Sequence, residues 1–254
     1  MTRHDPMHDE GLADFERMPE IMLLPLAATL LAREPTARVA IRKVSLAEAF
    51  IEPFREFFSR NGVLLALAFL VFVGLYKFPD QMIGVLAGPF YLDSGYTKAD
   101  IATVSKLYGV WLGIGGAFFG GVCVAAFDIR KLLAVAAVGV ALSNLAFLLM
   151  AQHPSEIWAF FAAITADNLT QGFAGTVLVA FMSGLTHQNF TATQYALLVS
   201  LANLPGKFVG GFSGYIVEQS SYSAFFLIST VSVIPALLLL AWLWKRIGFG
   251  TDQT

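Results

Sequence analysis

Six apolar stretches, at residues 62–91, 101–127, 132–151, 157–185, 193–217 and 223–243, follow one another with only short polar turns between them. Each holds the twenty or so residues needed to cross a hydrocarbon core of about 30 Å at about 1.5 Å per residue. Inside lipid every backbone N–H and C=O must find a partner within its own segment, which leaves the helix as the conformation for runs of this kind. An all-α membrane protein of six transmembrane helices is therefore expected. Composition agrees: 57% of the 254 residues are hydrophobic and 13% charged, where soluble domains carry about 25% charged residues. The turns are too short to let neighbouring helices run parallel.

Basic residues set the orientation. Arg33, Arg38, Arg42, Lys43, Arg55 and Arg60 precede the first stretch, Arg130 and Lys131 separate the second from the third, and Lys245 and Arg246 follow the sixth. With six crossings these all fall on one side, and the other side holds Lys98 and little else, so both termini are expected in the cytoplasm. The expected organisation is a cytoplasmic segment over 1–60, a transmembrane bundle over 61–246 and a cytoplasmic tail over 247–254. Within the first segment, the apolar run 21–32 is too short to span a bilayer, and reads either as a span cut short or as an interfacial stretch. Residues 45–60 place Phe50, Phe54, Phe57 and Phe58 at helical spacing against Glu52, Arg55, Glu56 and Arg60. That is the pattern of an amphipathic helix on the cytoplasmic membrane face, or of a plain linker helix. The acidic N-terminus lacks the basic start and apolar core of a cleavable signal peptide.

Four ionisable residues, Lys77, Asp80, Asp167 and Lys207, lie deep inside these stretches. A charge at mid-membrane costs about 2.5–3.5 kcal/mol on insertion scales, whereas a Leu returns only about 0.3–0.6 kcal/mol. Each charge therefore needs a partner, water or a function. Lys77 and Asp80 are three apart and share a helix face. Pro79 between them removes a backbone donor, so the first span is expected to be interrupted there. The alternative is a local pair that neutralises itself. Asp167 and Gln171 share a face of the fourth span beside Asn168, which suits proton coupling or an interhelical hydrogen-bond cluster. Asn203 and Lys207 share a face of the fifth span. The candidates for substrate binding are thus Lys77, Lys207, Asn203, Gln171 and Asn168, with the lysines meeting an anionic group, and those for proton coupling are Asp80 and Asp167.

Glycines mark two further faces. Gly109, Gly113, Gly116 and Gly120 line one side of the second span, and Gly206, Gly210 and Gly214 repeat at four-residue spacing in the fifth. Such faces let helix backbones approach closely. Enzyme signatures are missing from the sequence: there is no GxxxxGKS/T loop, no HExxH and no paired CxxC, and His4, His8, His153 and His187 make no ligand pattern. No enzyme activity, cofactor, metal site or nucleic-acid partner is expected. The lone Cys123 has no internal disulfide partner.

Several stretches together resemble the AmpG-type muropeptide permeases of the major facilitator superfamily, which are related to acetyl-CoA transporters. They are EPFREFFSRNG (Glu52 to Gly62), LYKFPDQMIGVLAGPFYLDSGYTKADIATVSKLYG (Leu75 to Gly109), the pair Asp167-Asn168, and FTATQYALLVSLANLPGKFVGGFSGYIVE (Phe190 to Glu218). Gly120-Gly121 followed by Asp128-Ile129-Arg130-Lys131 resembles the superfamily's loop between the second and third helices of each half. The resemblance implies the C-terminal six-helix half of such a permease, with a second six-helix half as partner. It further implies a solute site between the halves, the second and fifth spans facing the other half, and proton-driven uptake of anionic anhydro-muropeptides through the bacterial inner membrane for cell-wall recycling. Two alternatives stand beside it: a truncated, non-transporting bundle that only binds a partner, and a transporter of another anionic solute such as an acyl-CoA.

Overall fold

The computed structural model describes residues 46–187 and 191–246. The apolar run 21–32 and the tail 247–254 lie outside the described residues. Among the described residues every regular element is a helix. Helix α1, Leu46–Asn61, occupies the stretch with the amphipathic pattern. It buries Phe57 and leaves Phe54 exposed. Gly62, at φ 74°, separates it from α2, a backbone conformation that glycine adopts without strain.

Helix α2, Val63–Asp93, is about 46 Å long at about 1.5 Å per residue. It runs unbroken through Lys77, Pro79 and Asp80, against the expected interruption. One proline removes one backbone donor, and a continuous helix tolerates that loss where neighbours satisfy the freed groups. Helix α3, Lys98–Ala126, starts at a capping box in which Thr97 and Asp100 bond each other's backbone N–H groups. It is wound with i→i+5 bonds over Ile101–Tyr108 and as an α-helix from Gly109 onward. Helix α4, Ile129–Gln152, is capped by Asp128, and α5 covers Ile157–Leu185.

The fifth span departs from expectation. Instead of continuing to residue 217, α6 ends at Gly210 (Thr191–Gly210), and a short α7, Ser213–Gln219, comes after it. The Gly210-Gly211 pair lowers the helix propensity there. The ladder tightens to an i→i+3 bond from Phe212 N–H to the Val209 carbonyl, 2.9 Å. Helix α8, Tyr222–Leu243, bends at Ser232, whose hydroxyl donates to the Ser229 carbonyl at 2.6 Å.

Helices α2, α3, α4 and α8 are long and apolar enough to cross a membrane. Helix α5 has the length, but Asp167, Asn168 and Gln171 at its middle lower its hydropathy. Packing runs in the order α3, α5, α4, α8, α2, α6, each helix lying against the next. The first contact is set by glycine. A Cβ at Gly116 would overlap the Leu169 carbonyl, and one at Gly172 would overlap the Gly113 carbonyl. A Cβ at Gly109 would lie 3.0 Å from Asn168 Nδ2, at Gly113 3.8 Å from the Asn168 carbonyl, and at Gly120 3.1 Å from the Phe173 carbonyl. At the other end of the order, Gly206 abuts the Gln81 side chain and Gly210 abuts Val85, while Gly214, beyond the break, faces open space.

Candidate functional site

Two buried apolar clusters occupy the two ends of the bundle. One gathers Phe69, Phe72, Leu133, Val177, Phe181 and Leu240, and the other Met82, Phe90, Phe147, Phe160, Ile164 and Phe226. Five helices contribute to both, and four of them turn polar as they pass from one to the other. Helix α2 does so at Lys77, Asp80 and Gln81, α4 at Ser143 and Asn144, α5 at Asp167, Asn168 and Gln171, and α8 at Ser229. The sequence thus builds a polar layer at mid-height between two apolar cores. That is where desolvation makes an unpaired group most costly.

Within this layer Lys77, Asp80, Gln81 and Gln171 line a recess of about 350 Å³ with Gly84 and Val85. The spacing that puts Lys77 and Asp80 on one face does not make them a pair: among the described residues no ion pair joins them. Oδ1 of Asp80 and Oδ1 of Asp167 are buried with no hydrogen-bond partner, as is the Tyr76 hydroxyl. The Gln171 amide stands beside both carboxylates. One α5 side chain therefore sits next to the α2 carboxylate and to the carboxylate one turn earlier on its own helix.

Behind the recess a second set of groups steadies α2. Asn144 Nδ2 donates to Ser229 Oγ at 3.1 Å, and Ser229 Oγ donates to the Pro79 carbonyl at 3.3 Å. Both side chains are buried, so a chain of donors from α4 through α8 holds the α2 turn that carries Lys77 and Asp80. Gln81, on the recess side, donates to Asn203 Oδ1 at 2.7 Å, and Asn203 in turn donates to the Val199 carbonyl at 2.8 Å. Asn203 thereby touches the recess through Gln81.

The remaining candidates lie elsewhere. Asn168 donates to the Ile164 carbonyl at 3.1 Å and lies under Gly109, in the α3–α5 contact. Lys207 is exposed on α6 and does not line the recess. The sequence does not single out Gln81, Asn144 or Ser229, because an uncharged amide or hydroxyl hardly interrupts an apolar run. Their common signal is position, at the same depth as the charges.

A helical bundle in which four helices are long and apolar enough to cross a membrane, with ionisable groups at mid-height, defines a multi-pass membrane protein. Relatives make the class more particular. The chain is 32% identical over 221 residues to the anhydromuropeptide permease of Escherichia coli strain K12, covering 86% of this chain and 44% of that protein. It is 33% identical over 205 residues to a putative transporter named AmpG 4 of Rickettsia felis, covering 81% of this chain and 49% of that one. It is 32% identical over 228 residues to the protein of the same name in Rickettsia conorii, covering 90% and 54%. No family profile matches the chain. By sequence the chain is similar to these AmpG-type permeases, and it spans about half the length of these relatives.

Proposed function

We propose that the chain serves a proton-coupled permease that takes up anionic, muropeptide-like solutes across a bacterial inner membrane, with both termini in the cytoplasm. The carrying observation is the mid-bundle recess, where Lys77 lies open with the carboxylates of Asp80 and Asp167 nearby, in a sequence similar to a protein named for anhydromuropeptide transport. In this reading Lys77 meets the carboxylate of the solute, Gln171 and Asn203 bind its polar groups, and Asn168 and Lys207 meet parts that extend beyond the recess. The coupled proton rides on Asp167 or Asp80, since a buried carboxylate next to a movable charge changes protonation as its surroundings change. A second six-helix bundle supplies the opposite wall. Supporting it are the half-length match and the exposed apolar side chains of α3 and α6, among them Trp111, Phe118 and Phe208.

The test uses cells that lack their own anhydromuropeptide permease and express this chain, alone or joined to the N-terminal half of a relative. Labelled anhydromuropeptide should accumulate when a proton gradient is imposed and stop accumulating when it is collapsed. Asp167→Asn keeps size and hydrogen bonding but cannot titrate. It should abolish accumulation while sparing exchange of label across the membrane. Full accumulation in both the Asp167→Asn and Asp80→Asn variants would exclude both carboxylates as the coupling site.

A further inference from the structure

The transport reading leaves Asp80 with no settled task, since Asp167 alone suffices to carry a proton. Asp80 lies three residues after Lys77 on the same face of α2, both residues line the same recess, and no ion pair joins them among the described residues. Oδ1 of Asp80 is buried and unpartnered. Two opposite charges at this spacing, with Cβ atoms about 5–6 Å apart, ordinarily satisfy one another when nothing else is available. Here both line the same recess instead. Gly84 contributes no side chain to that wall and leaves it unobstructed.

The occupant's chemistry is dictated by the two signs. A simple anion drawn to Lys77 would bring its charge next to Asp80 and be repelled. A simple cation would meet the reverse conflict at Lys77. A neutral group would leave two desolvated charges without partners. We infer that Lys77 and Asp80 together form a subsite for a zwitterionic α-amino acid end, one carbon bearing both a free ammonium and a free carboxylate. Asp80 takes the ammonium, Lys77 takes the carboxylate, and the Gln171 amide meets the nearest polar group of the remaining solute. Charge-assisted hydrogen bonds on both sides give such an end two directional anchors where a plain anion has one. The assignment rests on the transport reading and divides its labour: Asp80 holds solute, and Asp167 remains for the proton.

The experiment measures binding to the full chain in lipid nanodiscs. The probe is an N-acetylated, C-amidated alanyl-alanyl-diaminopimelyl peptide, whose only charges are the far α-ammonium and α-carboxylate. Two further probes have that ammonium acetylated or that carboxylate amidated. Wild-type protein should bind each blocked probe at least about tenfold more weakly, as expected for loss of a hydrogen bond to a charged group. Asp80→Asn should erase the penalty for acetylation and keep the penalty for amidation, and Lys77→Met should do the reverse. Wild-type protein that binds all three probes equally, or binds none, overturns the inference whether or not the variants fold. So does a variant pattern in which both penalties persist. Uptake of anhydromuropeptide in cells combined with indifference to acetylation sinks this subsite alone. Charge-selective binding without uptake sinks the transport reading and leaves the subsite standing.

Discussion

Asp128 illustrates how much a single half-buried residue can fix. Its carboxylate caps α4 by accepting from the Arg130 backbone N–H at 2.8 Å, and it also pairs with the Arg130 guanidinium. Arg130 reaches on to the Trp244 carbonyl at 3.2 Å and lies over the Trp244 ring. The hydrogen bond from the Arg130 side chain, with help from the backbone, holds the Asp128 carboxyl down at about 2, against an ordinary value of 3.8. A carboxyl lowered in the folded state adds stability that is fully present above about pH 4 and disappears as pH falls through about 2. Asp128→Ala should therefore lower the melting point of the purified protein at pH 7, by the equivalent of about 1 kcal/mol for a lost cap. The gap between variant and wild type should shrink toward pH 2, and a gap that persists unchanged would remove the ion from the account. At the core, Ser229→Ala takes away the donor to Pro79 and leaves the Asn144 amide buried without its acceptor. A loss of about 1–3 kcal/mol is expected, read as a lower melting point. Ser229→Cys, which keeps a weak donor, should recover part of it.

Helix-scale behaviour depends on glycine in two different ways. Along α3 and α5, Gly116 and Gly172 face carbonyl groups of the opposite backbone, which cannot move aside as a flexible side chain would. Gly116→Leu should separate the two helices and destabilise by about 1–3 kcal/mol or more, the usual range for overpacking. Gly214→Ala, where a Cβ meets nothing within 4 Å, should change the melting point by no more than about 0.5 kcal/mol allows. Equal effects at the two positions would mean that close approach is not what the α3 glycines provide. The same residue type explains where hydropathy and spacing locate a helix and where they mislead. Helix α5 lies over 157–185, the bounds read from the sequence, although its middle is polar. In sequence, Gly206, Gly210 and Gly214 present one continuous face, yet the chain stops being helical after Gly210; the pairs Gly115-Gly116 and Gly120-Gly121 stay helical in α3, so a glycine pair permits such a stop without dictating it. Pro79 misleads in the other direction. Its single missing donor does not break α2, which runs continuously from Val63 to Asp93, and Ser229 of α8 donates to the Pro79 carbonyl in that turn.

For the whole molecule, the two apolar cores record which helix ends lie together. The first cluster combines Phe57 and Ala66 with Cys123, Leu132, Leu185, Leu198 and Leu243, the cytoplasmic-side ends expected from the basic residues. Gln194 fastens α1 to this end by donating to the Pro53 carbonyl at 3.0 Å, and Arg60 donates to the Leu185 carbonyl at 2.6 Å. The second cluster combines Tyr91 and Tyr96 with Val104, Met150, Ala159 and Phe225, the opposite ends. Up-and-down helices are legible from turn length alone, and the depth of Lys77, Asp80 and Asp167 is legible from hydropathy. The side on which Lys207 stands is not, because sequence spacing gives a helix face but not the neighbour that covers it. Arg55, Arg60, Arg130, Lys131, Lys245 and Arg246 sit at the ends gathered by the first cluster, whereas Lys98 is the basic residue of the turns at the other end. Basic loops resist translocation, so the first cluster should lie on the cytoplasmic side. Alkaline phosphatase, active only outside the cytoplasm, should be active when fused after Ser220, between α7 and α8, and inactive when fused after Thr186, between α5 and α6. The reverse pattern would invert the protein in the membrane and with it the proposed direction of uptake. Equal activity at both sites would mean that α6 does not cross the bilayer between them.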